Sequence, residues 1–166
     1  MIPIMLTIDM RSATIKMSQT TEKKRKESKP EVQTYLDRLK YAIQSGTVKL
    51  TFQKDRNVDQ GRNKKYTNRY TIGQLFPNED EVEVLKRELL QLTVEENIET
   101  VKDTKFPKRS EMRVFGKQYS SEDIYIKTRV ELVSIAHACG DSFIMVMSFH
   151  YSEWDFNESD FPYKKV

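Results

Sequence analysis

Two segments near the C-terminus have the composition of β-strands and follow each other closely in the chain. They are residues 124–138 and 143–151, and the connection between them contains Gly140 and Asp141. Gly followed by Asp suits a two-residue hairpin turn. The pattern predicts an antiparallel hairpin in which Cys139 pairs with Ser142.

The expected register sorts the side chains of this hairpin onto two faces, because odd positions of the first strand share a face with even positions of the second. One face is apolar apart from a threonine and is expected to form core: Ile124, Ile126, Thr128, Val130, Leu132, Phe143, Met145, Met147 and Phe149. The other face carries Tyr125, Lys127, Arg129, Glu131, Ile144, Val146, Ser148 and His150. This register places His150 opposite Glu131.

The polar face has two interpretations. It is either a solvent-exposed sheet surface, where charged residues alternate because water is there, or a site for RNA cleavage without a metal. Such cleavage needs a base for the ribose 2′-hydroxyl, cations for the phosphate and an acid for the leaving oxygen. On the second interpretation His150 is a general acid or base, and Glu131 orients it or carries the opposite proton. Tyr125, Lys127 and Arg129 hold the phosphate.

Two helices and two further strands are predicted upstream of the hairpin. Ser28 is a suitable N-cap for the first helix, and Gly46 is suited to end it. Apolar residues at helical spacing form its buried face: Val32, Tyr35, Leu36, Leu39, Ala42 and Ile43. The second helix is predicted over residues 77–93, with Asn78 as N-cap and Val82, Leu85, Leu89 and Leu92 as its buried stripe. Strands are expected at 47–52 and 111–117, the latter preceded by a polar connection from Thr100 to Ser110.

The N-terminal part of the chain lacks the residues needed for a core. Residues 18–30 contain no large apolar side chain and are rich in charge, which is typical of a solvated linker. We therefore predict an N-terminal extension over residues 1–30 and a single α+β domain over 31–166. In this domain two helices pack on one face of a small, mostly antiparallel sheet.

The segment 54–69 is the most basic part of the predicted domain. Its cations are Lys54, Arg56, Lys64, Lys65, Arg62 and Arg69, with Tyr66 inside the segment and Tyr70 just after it. The segment is either a loop that contacts RNA phosphates, with an aromatic ring to stack on a base, or a solvated turn. Arg113 and Lys117, on the strand at 111–117, are further candidate RNA contacts.

Several function classes find no support. The chain has 166 residues and a net charge of only +3, and its five glycines form no phosphate-binding or dinucleotide motif. The two histidines, His137 and His150, have no Cys pair or clustered carboxylates at metal-ligand spacing. No apolar run approaches the ~20 residues that span a bilayer. A cytoplasmic protein without metal or cofactor is expected, and the single Cys139 fits a reducing compartment.

A family resemblance is carried by short motifs in the C-terminal half. They are Val114-Phe115-Gly116-Lys117, Ile124-Tyr125-Ile126-Lys127, Ser148-Phe149-His150 and Phe161-Pro162-Tyr163-Lys164. Over residues 31–164 the chain resembles MqsR-type toxins of toxin–antitoxin systems, RelE-like ribonucleases that cleave messenger RNA, in a branch from Gram-positive bacteria and mobile elements. The resemblance implies a RelE/MqsR-like fold.

Carried over residue by residue, the resemblance is partial. It assigns the strand Tyr and Lys of the family to Tyr125 and Lys127. It places His150 where these toxins have a catalytic Lys. The family's catalytic Gln has no counterpart at 111–113, and its loop Lys falls among Lys102, Lys105 and Lys108.

These observations favour a toxin-like, metal-independent endoribonuclease that acts on single-stranded or messenger RNA and is covered by a cognate antitoxin. The alternative is a non-catalytic protein of the same fold. It would be a phage- or element-encoded inhibitor that binds a host nucleic-acid-handling protein such as a CRISPR effector, or a nucleic-acid-binding accessory protein. The segment 152–161, with Trp154, Phe156 and Phe161 among acidic residues, is then a recognition surface, or else a strap packed on the core.

Overall fold

The computed structural model describes residues 22–131 and 142–165. They form one six-stranded sheet and three α-helices, which confirms the α+β class. The strands are β1 (Glu22–Arg25), β2 (Lys49–Phe52), β3 (Asn97–Asp103), β4 (Met112–Tyr119), β5 (Glu122–Glu131) and β6 (Phe143–Tyr151). The helices are α1 (Lys29–Gln44), α2 (Asn68–Leu75) and α3 (Glu81–Leu89), one more than the two predicted.

The sheet has the strand order β1, β3, β4, β5, β6, β2. Neighbouring strands are antiparallel except β2 and β6, which run parallel. β2 pairs only with the first half of β6, from Phe143 to Val146. The residues that follow β2 therefore continue beside the second half of β6.

The folded part of the chain begins earlier than predicted. Residues 22–30, assigned above to a linker, contain β1, which pairs with β3. The Glu27 side chain behind it is buried and accepts two hydrogen bonds from the Arg113 guanidinium, at 2.8 and 3.1 Å. The prediction was wrong here because this segment is held by backbone pairing and ion pairs rather than by apolar burial. Residues 1–21 lie outside the described part.

Helix α1 agrees with its prediction. The Ser28 hydroxyl accepts a hydrogen bond from the Glu31 amide, the Glu31 carboxylate accepts one from the Ser28 amide, and Gly46 follows the helix with a φ of 76°. The predicted apolar stripe is buried at Val32, Tyr35, Leu36, Leu39 and Ala42. Within the described residues, no helix is both long and apolar enough to cross a membrane.

Helix α3 starts later than predicted. Asn78 is not its N-cap, because its backbone has the left-handed φ of 65°. The cap is Asp80, whose carboxylate accepts a hydrogen bond from the Glu83 amide at 3.0 Å. On this helix Val84 is buried where Val82 was expected, and Val82 is half-buried.

One further element in this region differs from the prediction. β3 occupies part of the segment expected to be a polar connection. β4 and β5 are joined by a tight turn at Ser120 and Ser121, whose φ values of 52° and 68° fit a type I′ hairpin turn.

The hairpin of β5 and β6 forms, but its predicted register is wrong. His150 lies opposite Tyr125, and Glu131 lies opposite Phe143. The predicted turn at Gly140 and Asp141 lies outside the described residues. Between the pairs Lys127–Ser148 and Thr128–Val146 the register shifts by one residue.

This shift is a β-bulge that leaves Met147 without an opposite residue, and it changes which side chains face the core. Ile144 and Val146, expected on the polar face, lie in the main core with Ile124, Ile126 and Phe149. Phe143 and Met145, expected in that core, lie on the opposite face of the sheet, where Met145 packs with Val114. A bulge has this effect because each residue of slip inverts the face of all residues beyond it.

The two faces of the sheet are covered differently. All three helices contribute buried side chains to one core, which they share with β4, β5 and β6. The opposite face carries a smaller apolar cluster, partly covered by Phe156 and Phe161 from the C-terminal segment. The polar side chains of β5 and β6 lie on this helix-free face.

Helix α2, which the sequence did not predict, takes the place of a strand along the second half of β6. The Asn68 side-chain amide donates to the carbonyls of Gln53 and Met147, at 2.7 and 2.9 Å. Its oxygen accepts from the Phe149 amide at 2.9 Å. One turn later the Thr71 hydroxyl accepts from the Tyr151 amide at 3.0 Å. Side chains of α2 thus supply hydrogen-bond partners for the backbone amides and carbonyls of β6 beyond the end of β2. Buried backbone groups require such partners.

We predict that Asn68→Leu lowers the free energy of unfolding by about 3 kcal/mol. The change leaves buried carbonyls at Gln53 and Met147 and a buried amide at Phe149 without these partners. Urea denaturation followed by circular dichroism measures the loss. The matched control is Asn57→Leu at an exposed position, where we expect a change of less than about 0.5 kcal/mol. Equal losses in the two variants would contradict this assignment.

Candidate functional site on the helix-free face

Tyr125 of β5 and His150 of β6 are directly opposite each other on the helix-free face. Their rings stack with centroids 5.4 Å apart and an interplanar angle of 21°. The sequence predicted that both share one face, and they do. The stack fixes the imidazole ring against a rigid strand.

The protonation state of His150 follows from its surroundings. Its Nδ1 lies 2.8 Å from the Tyr151 carbonyl oxygen, so Nδ1 carries the hydrogen and Nε2 the free lone pair. Burial lowers the pKa of His150, the Tyr151 carbonyl opposes this, and the charges of Arg62 and Arg56 lower it further. The residue is 6 % exposed. At neutral pH it is therefore an uncharged base.

Two arginines from the segment after β2 reach this face. The Arg56 guanidinium donates to the Ser148 hydroxyl at 3.3 Å. Among the described residues no carboxylate lies within ion-pair distance of Arg56, although its side chain is half-buried. Arg62 pairs with Asp59 at 3.6 Å and with Glu153 at 3.1 Å. A half-buried cation without a counter-ion favours the binding of an anion.

Lys127 lies next to His150 on the same face, opposite Ser148. Its ammonium group donates to the Glu22 carboxylate of β1 at 2.9 Å, and the residue is 6 % exposed. Burial raises the pKa of the Tyr125 phenol, and the charges of Glu99 and Glu22 raise it further. Tyr125 therefore stays protonated at neutral pH and can donate a hydrogen bond.

The segment after β6 closes one side of the site as a strap. The Ser152 and Phe156 amides donate to Asp123, at 2.8 and 2.9 Å. Phe156 lies directly over Gly116, where a Cβ would come within 2.6 Å of the ring. The Trp154 ring contacts Tyr125 edge-on at 5.6 Å and remains 48 % exposed. The strap interpretation of this segment accounts for Phe156, while Trp154 stays open to a partner.

Two of the predicted catalytic residues do not join the site. Glu131 lies opposite Phe143 and accepts a hydrogen bond from the Ser110 amide at 3.2 Å. It is six residues along β5 from Tyr125, a separation of about 20 Å. Arg129 lies 3.9 Å from Glu131 rather than against the His150 ring. The role predicted for Glu131 as partner of His150 was wrong, because the six-residue error in register moved it along the strand.

The remaining cations of the basic segment are mostly neutralised. Lys54 pairs with Glu81 at 3.4 Å, Lys65 with Glu122 at 3.7 Å and Arg69 with Asp55 at 2.6 Å. Lys64 is exposed. The segment is folded into two 3₁₀ turns, Asn57–Gly61 and Lys64–Tyr66, and continues into α2.

The two candidate RNA contacts on β4 are also engaged within the protein. Arg113 is bound to Glu27 and lies over the Tyr35 ring at 4.7 Å, on the helix-covered face. Lys117 lies 4.0 Å from Glu96. Both therefore support the fold rather than the site around His150.

Sequence reasoning missed Glu22, which it assigned to a linker, and the Arg62–Glu153 pair. Glu22 meets Lys127 across 105 residues of sequence separation, and no local pattern signals such a contact. Within residues 22–131 and 142–165 there is no group of three or more His, Cys, Asp or Glu side chains that could hold a metal ion. His137 and Cys139 lie outside the described residues.

Comparisons with protein-family models, with curated proteins and with solved structures found no match to this chain. The chemistry of the site therefore has to be argued from its own geometry. That geometry is an uncharged imidazole, a protonated phenol and an unpaired guanidinium on one sheet face.

The lowered pKa of His150 predicts a specific dependence of stability on pH. The His150 imidazole binds a proton less readily in the folded state than in the unfolded state. Its contribution to the free energy of unfolding is therefore fully present above the unfolded-state pKa of about 6.5, and it is lost as the pH falls below that value. The groups facing the ring are Arg56, Arg62, Glu153 and Tyr125. The unfolding free energy of the wild type minus that of His150→Gln should decrease between about pH 7 and pH 5. Urea denaturation at each pH measures it, and a constant difference would contradict the lowered pKa.

Proposed function

We propose that the protein is a metal-independent endoribonuclease that cleaves single-stranded RNA at the site formed by His150, Tyr125 and Arg56. The observation that carries the proposal is the half-buried Arg56 guanidinium beside Ser148, without an ion-pair partner among the described residues. A phosphodiester placed there would supply the missing negative charge. The resemblance to MqsR-type toxins supports the same conclusion at Tyr125 and Lys127, and His150 stands where these toxins have a catalytic Lys.

In the proposed reaction Nε2 of His150 accepts the proton of the ribose 2′-hydroxyl. The 2′-oxygen forms a bond to phosphorus while the bond from phosphorus to the 5′-oxygen breaks. The Tyr125 phenol donates its proton to that leaving oxygen, and the nearby charges of Arg56 and Arg62, which act to lower the pKa of Tyr125, stabilise the resulting phenolate. The products are a 2′,3′-cyclic phosphate and a 5′-hydroxyl. Tyr125 thus takes the acid role that the sequence assigned to Glu131 or His150.

The cations act on the phosphate in this scheme. Arg56 and Arg62 stabilise the charge that develops on the pentacoordinate phosphorus, and they do so in a half-buried setting where the interaction is strong. Lys127 contributes less, because Glu22 already compensates its charge. RNA reaches the His150 ring when the Arg62–Glu153 pair opens. The two side chains of that pair are 22 % and 49 % exposed, so opening costs only about 0–1 kcal/mol.

A ribonuclease of this kind is harmful to its own cell, and the proposal therefore includes a cognate antitoxin that covers the helix-free face in the cytoplasm. Exposed Trp154, with the exposed acids Glu153 and Asp155 on either side, is a suitable anchor for it. The same feature favours a second candidate function. A non-catalytic inhibitor would use Trp154 to bind a host nucleic-acid-handling enzyme.

A cleavage assay in EDTA separates these functions. Purified protein should cut single-stranded RNA, and His150→Gln should lower the rate by about 10²–10⁴-fold because it removes the proton acceptor. Arg56→Gln should lower the rate by about 100-fold. Gel analysis of a labelled RNA measures both.

The matched control is Arg38→Gln, which removes an exposed arginine from α1 and should leave the rate unchanged. Induction of each variant in bacteria, with growth and transcript integrity followed, gives the same ranking. Intact RNA with the wild type and equal growth of all strains would remove the ribonuclease proposal and favour the inhibitor.

A further inference from the structure

The loop between β3 and β4, residues 104–111, carries three exposed cations within five residues. Lys105, Lys108 and Arg109 are exposed, and none of them lies within ion-pair distance of a carboxylate in residues 22–131 or 142–165. In the segment 54–69, by contrast, most cations are paired within the protein. The β3–β4 loop thus places three unpaired positive charges close together in the chain.

An aromatic ring stands among these charges. Phe106 is 42 % exposed, and the Arg109 guanidinium lies over one face of its ring at 4.0 Å from the centroid. A large exposed aromatic side chain beside unpaired cations is the combination that stacks a base and holds the adjoining phosphates. Since Arg109 covers one face of the ring, a base would stack on the other face.

The loop is also held in a defined shape. The Phe106 amide donates to the Asp103 carbonyl at 3.3 Å and the Arg109 amide to the Phe106 carbonyl at 3.0 Å, which gives two successive turns. Lys102 of β3 donates to the Pro107 carbonyl at 2.9 Å. Such preorganisation reduces the entropy lost when the side chains bind a partner.

The position of the loop relates it to the site on the helix-free face. Ser110, at the end of the loop, contacts Glu131 at one end of β5, and Tyr125 of the site lies six residues along the same strand. The separation along β5 is about 20 Å. One strand of RNA could therefore contact both the β3–β4 loop and the site around Tyr125 at the same time.

We infer that the β3–β4 loop is a binding site for single-stranded RNA, in which Phe106 stacks on a base and Lys105, Lys108 and Arg109 contact the flanking phosphates. This inference rests on the proposed function only for the choice of RNA. Binding at the loop requires no cleavage, so the two can fail independently.

Fluorescence anisotropy with a labelled 2′-O-methyl RNA tests the inference, because this strand lacks the 2′-hydroxyl and is not cut by the proposed reaction. Lys105→Glu with Lys108→Glu should raise the Kd at least 10-fold and reduce the slope of log K against log salt by about one to two. The charge-matched control is Lys29→Glu with Lys40→Glu on α1, which should change the Kd less than 3-fold. Equal effects of the two double substitutions on the Kd would show only nonspecific electrostatic attraction between protein and RNA. That result would overturn the proposed binding site.

Phe106→Ala tests the stacking part. It should raise the Kd about 5-fold or more for the RNA with bases, and less than 2-fold for an abasic strand of the same length. Equal loss with both strands, or no loss, would overturn the base-stacking role. Unchanged RNA binding in all loop variants would overturn the inference. Loss of binding in a protein that cuts no RNA would support the loop site and remove the proposed function.

Discussion

The side-chain amide of Asn68 joins the elements on which the site depends. β2 stops after Phe52, half-way along β6, and from there Asn68 bonds to both strands at once, through Gln53, Met147 and Phe149. This fixes α2 beside the bulge of β6. The turns between β2 and α2 are then held over the helix-free face, and Arg56 and Arg62 reach Ser148 and Glu153. Together with the bond from the Tyr151 amide to the Thr71 hydroxyl, these three hydrogen bonds hold the start of α2 against β6, near the His150 ring.

The bulge at Met147 divides the hairpin into two parts with different chemistry. On one side of it Tyr125, Lys127, Ser148 and His150 form a polar cluster against the strap. On the other side Phe143 and Met145 share the face with Arg129 and Glu131. One unpaired residue therefore ends the polar site and begins an apolar patch on the same face. It also returns Ile144 and Val146 to the main core.

Part of this arrangement could be predicted from the sequence. Helix α1 is specified locally, by Ser28 and by the spacing of its apolar residues, and it forms as expected. The sequence correctly predicted that one face is shared by Tyr125, Lys127 and His150, although the predicted register was wrong. The true and the predicted registers differ by an even number of residues, and such a difference preserves the alternation of faces. Beyond the bulge the alternation of faces is inverted. The sequence therefore predicted the wrong face of the sheet for Ile144, Val146, Phe143 and Met145.

The features that could not be predicted depend on contacts between distant residues. Glu22 lies in a segment without apolar residues, and only pairing with β3 and the ion pair with Lys127 order it. Asn68 shows no sign in the sequence that it replaces a strand partner. Asp80 rather than Asn78 caps α3 because the chain turns through a left-handed residue first. Hydrogen-bonding side chains that act over long separations leave no periodicity to detect.

We propose that His150 activates a ribose 2′-hydroxyl for attack on the neighbouring phosphate. Mass spectrometry of the RNA ends produced by the purified protein in EDTA measures this most directly. The account predicts fragments that end in a 2′,3′-cyclic phosphate and begin with a 5′-hydroxyl, and no cut at a nucleotide that carries a 2′-O-methyl group. Fragments with a 3′-hydroxyl and a 5′-phosphate, or RNA that stays intact, would contradict it.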